Sequence, residues 1–462
     1  MNLILTSFLR RIPGFVLLFM LLSTTAAAQL PADSDNEAGR EPLNLNEVIQ
    51  AALEHYPELK MHEQEIQKAG LKRRQVLQTL LPKVSLEGSY TFLDNPIAIG
   101  LPELSLEVSP GLELSPDLPD AQLQSDRFFQ SRVQIEQVLF TGGEVLYGAR
   151  AAEHGKSARA HQAEAAKAAL IKEVIEAWNR ITLFKQSVRV TQEALERVGF
   201  EQTRAEQAWE EGLLPYYDIT RIRVFRRQLM DQQTELKGRL ELTYEQLSRL
   251  SGLPAEAFST LSPETDMLGW SDAEEHSWRG RPEWQAAGEN VRAREQLLRA
   301  ERGAYLPTVF AFFQRELYED DLTSLDPVWA AGAGFRWTVF NRGQTRTGIE
   351  LARRDLNIAR EQRALAADGF ELRLRQAGID RDVAERRLQT AELMVEESEV
   401  SLDLATRRYE LGLSDVSERL QAETDLQEAL LSQKKAIYAL QRARVKELAA
   451  TGALRPALFS TE

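Results

Sequence analysis

The sequence predicts an α+β membrane protein, in which long coiled-coil helices carry a few β-strands that close a transmembrane barrel only when several chains combine them. Three observations predict it. A block repeats at a constant spacing of 200 residues, long proline-free stretches inside it follow heptad spacing, and two pairs of segments alternate with period two.

The repeat shows at three landmarks. Leu139-Phe140-Thr141-Gly142-Gly143 resembles Val339-Phe340-Asn341-Arg342-Gly343, Gly212-Leu213 resembles Gly412-Leu413, and Ser251-Gly252 resembles Thr451-Gly452. Each pair is 200 apart, so the intervening chain has kept its length, as a rigid element does and a loop does not. Residues 144–211 and 344–411 contain no proline. Val188, Thr191, Leu195, Val198, Gln202, Ala205 and Trp209 step by three and four. So do Leu388, Ala391, Val395, Ser398, Leu402, Ala405 and Tyr409. Each seam predicts a rod of roughly 100 Å at ~1.5 Å per residue. Gly212 and Gly412 end the rods, Pro215 and an Asp415/Glu418 capping box open return helices over 216–250 and 415–450. Further helices are expected over 45–81, with a break near Pro57, and over 282–305.

Helical patterning stops at Pro82 and Pro307. Val84, Leu86, Gly88, Tyr90 and Phe92 then alternate with polar residues, as do Val133 and Ile135, and Trp329, Ala331, Ala333, Phe335, Trp337 and Val339. The strand near 308–317 is less regular, because Phe310 and Phe312 fall on the polar side. These runs suit the ~9–11 residues of a tilted membrane strand. Four strands cannot close a barrel, and an open edge cannot sit in lipid. Three copies supply twelve, so a cyclic homotrimer is the expected solution. The 94–126 connection is expected to be a long outer loop, and the acidic connection around 319–327 a shorter one.

The compartment is set by the first residues. Arg10 and Arg11, the apolar run Ile12 to Leu22 and Ala26-Ala27-Ala28 form a secretory (Sec-type) signal peptide over 1–28. A membrane anchor is the alternative, but the run is short of the ~20 residues of a span. Removing its two arginines takes the net charge from −14 to −16, which argues against nucleic acid. There is no cysteine, hence no disulfide and no lipid-modified cysteine. The chain divides into 1–28, a first repeat 29–253 with a strand pair about 83–140, a linker 254–280, a second repeat 281–453 with a strand pair about 308–340, and a tail 454–462.

Enzymatic chemistry finds no support. Ala331-Gly332-Ala333-Gly334 lies inside an alternating strand without a following phosphate-binding helix. The five histidines lack metal-ligand spacing, and His62 reads as a surface residue. No cofactor is expected. A periplasmic coiled-coil adaptor is the alternative reading, although adaptors place one hairpin between β-rich domains and this chain has two.

Leu43-Asn44-Leu45-Asn46-Glu47-Val48, Ala51-Ala52-Leu53 and Tyr56-Pro57-Glu58-Leu59 resemble the N-terminal signature of the TolC-like outer membrane efflux family. Leu80-Leu81-Pro82, Leu139-Phe140-x-Gly142-Gly143 and Tyr409-x-x-Gly412 are similar to its repeat motifs. The resemblance covers nearly the whole mature chain. It implies a homotrimer with a twelve-stranded barrel among outer-membrane lipid and a long α-helical coiled-coil barrel crossing the periplasm. It also implies a passive export duct onto whose tip a periplasmic adaptor and an inner-membrane transporter, of RND or ABC type, dock. By the resemblance, Glu418 belongs to an acidic entrance ring. Gln421 stands where a second acid is expected, and Asp218 and Tyr409 form a gate latch. Ser414 replaces an arginine of that latch, and Gly212, Leu213, Gly412 and Leu413 form the docking tip. The bland reading of Glu418 is the capping-box glutamate.

Overall fold

A computed structural model describes residues 43–99, 106–109, 112–114, 121–261, 277–318 and 326–455. The segment expected to be a signal peptide, most of the expected linker and nearly all of the expected tail lie outside the described residues.

Helix α1 (Leu45–His55) opens on a full capping box. The Asn44 side chain accepts from the Glu47 amide at 2.8 Å, and the Glu47 carboxylate accepts from the Asn44 amide at 3.2 Å. The residue before a proline is driven to extended backbone, so Tyr56 breaks the helix and Pro57 starts α2 (Pro57–Gln78). Strand β1 (Lys83–Phe92) follows. The expected outer loop holds four short strands, β2 (Ile97–Ile99), β3 (Leu106–Ser109), β4 (Leu112–Leu114) and β5 (Ala121–Gln124). β2 pairs with β5 and β3 with β4, so the described residues of this connection include two two-stranded sheets.

Strand β6 (Arg127–Thr141) leads into α3 (Glu144–Glu210) and α4 (Tyr216–Ser251). The second half repeats the plan: α5 (Pro282–Gly303), β7 (Thr308–Glu316), β8 (Trp329–Arg336), α6 (Gln344–Glu410) and α7 (Val416–Thr451). The duplicated helices match in length. α3 and α6 both have 67 residues, α4 and α7 both have 36, and α2 and α5 both have 22. Strand β8 stops three residues short of the expected Val339. The Trp337 indole instead donates to the Tyr305 carbonyl at 3.1 Å.

Burial in both rods follows a seven-residue step. Ala149, Ala163, Leu170, Ala177, Thr191, Val198 and Ala205 are buried in α3; Ile349, Leu356, Phe370, Ala377, Ala384, Ala391, Ser398 and Ala405 are buried in α6. Thr191, Val198, Ala205 and their counterparts lie on the expected seams, while Trp209 at the seam's end is exposed. A strict heptad held this long supercoils the rods left-handedly, keeping the buried stripe on one side. Below mid-length the helices neighbour one another in the order α4–α3–α7–α6, and above it α2–α3–α5–α6. At mid-length Val48, Ile49 and Ala52 of α1 join Ile171, Ile175, Leu247, Leu250 and Phe258 in the largest core cluster. Gly142 and Gly303 let a rod and a short helix touch: a Cβ on Gly303 would stand 2.7 Å from the Gly142 carbonyl oxygen.

The four main strands form one antiparallel sheet in the order β1-β6-β7-β8, which leaves β1 and β8 as its edges.

Candidate functional site: the sheet faces and the hairpin tips

Register fixes what each sheet face presents. Val84, Ile135, Phe313 and Ala331 form one row across the four strands, and Leu86, Val133, Arg315 and Trp329 the next but one. Cross-strand partners share a face, so this side is mostly apolar, with Ser131, Arg127 and Arg315 toward its loop end and Gln137 toward the helices. It is also open: Val84, Leu86, Phe92, Trp329 and Phe335 are each exposed by 62–70%. The opposite face carries the row Ser85, Gln134, Gln314 and the ion pair of Arg132 with Glu316 at 2.8 Å. Phe310 and Phe312 lie on that polar face because they cover glycines. Their cross-strand partners are Gly334 and Gly332, where a Cβ would stand 2.9 Å from the Phe310 ring and 3.1 Å from the Phe312 ring. Aromatic residues collect at both ends of the apolar face, Tyr90, Phe92, Phe129 and Trp329 near the loops and Phe335, Trp337 and Tyr305 near the helices. That is the distribution of membrane-interface girdles, which period-two reading of single strands missed.

At the other end, both hairpins turn through the same motif. The Leu213 amide donates to the Ala208 carbonyl at 2.8 Å and the Gly212 amide to the Trp209 carbonyl at 2.9 Å. Leu413 with Arg408 and Gly412 with Tyr409 repeat this at 2.8 and 3.0 Å. These are Schellman turns, and Gly212 (φ 76°) and Gly412 (φ 69°) supply the left-handed residue. The turns push Leu213 and Leu413 outward, 74% and 67% exposed.

The structure revises two expectations here. The Asp415 side chain caps α7 by accepting from the Glu418 amide at 3.1 Å, but Glu418 does not complete a capping box. Its carboxylate instead pairs with Arg408 across the turn at 3.0 Å. Secondly, the latch hydrogen bond between Tyr409 and Asp218 is not made: the Tyr409 hydroxyl is buried without a partner within the chain, as is the Ser414 hydroxyl. Tyr409 packs against a cluster of Ala194, Val198, Ala205, Ile219, Ile222 and Val416. Burial raises its pKa, assisted by Glu201 and Asp218. Burial also raises that of Asp218, and the negative charge of Asp415 adds to the shift against Arg221. Asp218 and Asp415 therefore oppose each other at the first turns of α4 and α7. Gln421 donates to Asp425 at 2.9 Å, so the next acid on this side of α7 lies two turns beyond Glu418.

Above the tip, two ion pairs join the hairpins. Arg197 meets Glu423 at 2.7 Å, and Arg419 meets Glu201 at 3.4 Å. Glu423 has 1% of its side chain exposed, and Arg419 and Glu201 have 9% and 5%. The sequence carries a signal for these pairs. Arg197 and Glu201, and Arg419 and Glu423, are both Arg-x-x-x-Glu, and two such steps on antiparallel helices cross-pair.

An amphipathic four-stranded sheet with open edges, carried on two equal helical hairpins, defines a subunit of a membrane channel with a long helical extension. The chain belongs to the outer membrane efflux protein family, whose model matches residues 48–253 and 278–453. It is an outer-membrane efflux channel protein. Its fold is that of solved outer-membrane channels. The Campylobacter jejuni CmeC channel is 16% identical with a TM-score of 0.72, covering 96% of this chain and 94% of that one. Vibrio cholerae VceC is 17% identical with a TM-score of 0.71 over 88% and 96% of the two chains. The open state of Neisseria gonorrhoeae MtrE is 16% identical with a TM-score of 0.66 over 88% of each. No curated protein matches the chain in sequence.

Proposed function

We propose that three copies of this chain form a passive export duct from the periplasm through the outer membrane, serving a tripartite efflux or type I secretion system. The observation that carries this is the sheet. One face is mostly apolar and exposed, the other is polar, and both edge strands lack partners among the described residues. Such a sheet is stable in lipid only when its edges pair, and twelve strands from three copies are enough to close. The helical hairpins then line one lumen, with Glu418, Gln421, Asp218, Tyr409 and Ser414 around its narrow mouth. Gly212, Leu213, Gly412 and Leu413 offer small apolar knobs on which a periplasmic adaptor and, through it, an inner-membrane transporter dock. Substrate passes without chemistry by this subunit. The test is conductance: purified protein in a planar bilayer gives discrete channel steps on this reading. A preparation that binds membranes yet never conducts favours an adaptor.

A further inference from the structure

The two rods are alike in sequence position but not in neighbourhood. Helix α3 has α4 on one flank and α7 on the other, whereas α6 has α7 on one flank and no helix on the other among the described residues. The difference shows in burial at equivalent positions. Level with α4 and α7, Ala194 of α3 is 0% exposed, while Met394, 200 residues on, is 50% exposed. The bare flank of α6 therefore presents a larger apolar side chain at a position that α3 keeps covered. It lacks a helix, and the repeat says which one. α7 is the second-repeat counterpart of α4, so what α7 is to α3, α4 of another copy is to α6.

We infer that α6 takes α4 of a neighbouring copy in the register that α7 takes on α3, and that this seam is keyed by Glu397 and the neighbour's Arg223. The pairing follows from the covered seam. There Arg197 of α3 meets Glu423 of α7 at 2.7 Å. Moving the first residue forward by 200 and the second back by 200 turns Arg197 into Glu397 and Glu423 into Arg223. The pair is recovered with its charges exchanged. The other covered pair, Glu201 with Arg419, becomes Ser401 with Ile219, so neither residue is left as an unmatched charge. The two participants are accessible in the single chain. Glu397 is exposed and makes no ion pair among the described residues. The Arg223 side chain is half exposed and holds Glu206 at 2.7 Å with one edge of its guanidinium, which has further N–H donors to offer. Exchange of charge between the covered seam and the copy seam also discriminates between them: α7 offers Glu423 where Glu397 requires a cation, so α6 cannot take a second α7 in this register.

This inference rests on the three-copy reading, and its test separates the two. The chain has no cysteine, so Glu397→Cys with Arg223→Cys introduces the only thiols. Treated in outer-membrane vesicles with a short bis-maleimide, this variant is expected to give covalent dimers and trimers on denaturing gels. Glu397→Cys with Gly238→Cys, about 22 Å further along α4 at ~1.5 Å per residue, should give none. In parallel, Glu397→Arg is expected to lower the temperature at which the detergent-solubilised trimer dissociates, and adding Arg223→Glu to restore it. The cross-link carries the test if Arg223→Glu disturbs the Glu206 contact. A variant that migrates as a trimer without cross-linking overturns the register and leaves the three-copy reading standing. Unmodified protein that never assembles overturns both.

Discussion

Breaking the buried charge pairs between the hairpins should loosen the tip. The sharpest perturbation is Arg197→Met. It leaves the Glu423 carboxylate, 1% exposed, without the guanidinium that meets it at 2.7 Å. Loss of one partner from a buried pair costs about 3–5 kcal/mol. Arg197 is itself about one-third exposed, and Arg419 stands one helical turn from Glu423, so the lower end, about 3 kcal/mol, applies. The double change Arg197→Met with Glu423→Leu removes both charges and restores apolar packing, and should cost little, because well-packed isosteres commonly match a buried pair. Amide hydrogen exchange over residues 190–205 and 416–430 reads this directly. About 3 kcal/mol of lost opening free energy corresponds to exchange faster by roughly 100-fold, at 1.4 kcal/mol per tenfold. The double variant should return most of the protection. Unchanged exchange in Arg197→Met, or a double variant as labile as the single one, refutes the reasoning.

Three further outcomes follow from the same geometry. Deleting one heptad, 384–390, from α6 alone shortens one rod by about 10 Å and should abolish trimer assembly or transport in an export assay. Deleting 184–190 as well restores matched lengths and should harm assembly less than either single deletion. Glu418→Gln frees Arg408 from its 3.0 Å partner, and Arg408→Gln frees Glu418, so planar-bilayer reversal potentials should move in opposite directions, away from cation preference in the first and toward it in the second. Equal or absent shifts remove the pair from the entrance. Burial and the charge of Asp415 raise the pKa of Asp218. A raised carboxyl pKa stabilises the folded tip at pH below the unfolded value, near 3.8, and that contribution is lost as pH rises through the folded value. Asp218 by itself should therefore slow exchange at the tip as pH falls through the acidic range, once corrected for intrinsic rates, against the opposite contribution of Asp415, whose carboxylate the Glu418 amide holds low. Asp218→Asn should flatten that dependence.

Much of the fold was legible because one constraint dominates it. A barrel wall of fixed length tolerates no insertion, so the 200-residue spacing survived and α3, α4, α6 and α7 emerge with matched lengths. Helix ends were readable where a single residue decides them, as at Gly212, Gly412 and Pro57. The end of β8 was not, because Trp337 continues the alternation while its indole turns to the Tyr305 carbonyl. The faces of β7 were obscured because Phe310 and Phe312 answer to Gly334 and Gly332 on the next strand, information that is not in β7 itself. The tip was the least legible part. Glu418 satisfies a local capping rule in sequence, yet Arg408, ten residues earlier, competes for its carboxylate and takes it. Tyr409 and Asp218 were brought near each other but not into contact, since the tyrosine fills an apolar cluster between the hairpins.

The central claim is that the four-stranded sheet closes by pairing with its own copies. Native mass spectrometry of the chain extracted from outer membranes in detergent tests it most directly. One dominant species at three times the mass of a single chain is expected, and a dominant single-chain species under conditions that keep the sheet folded would contradict the claim.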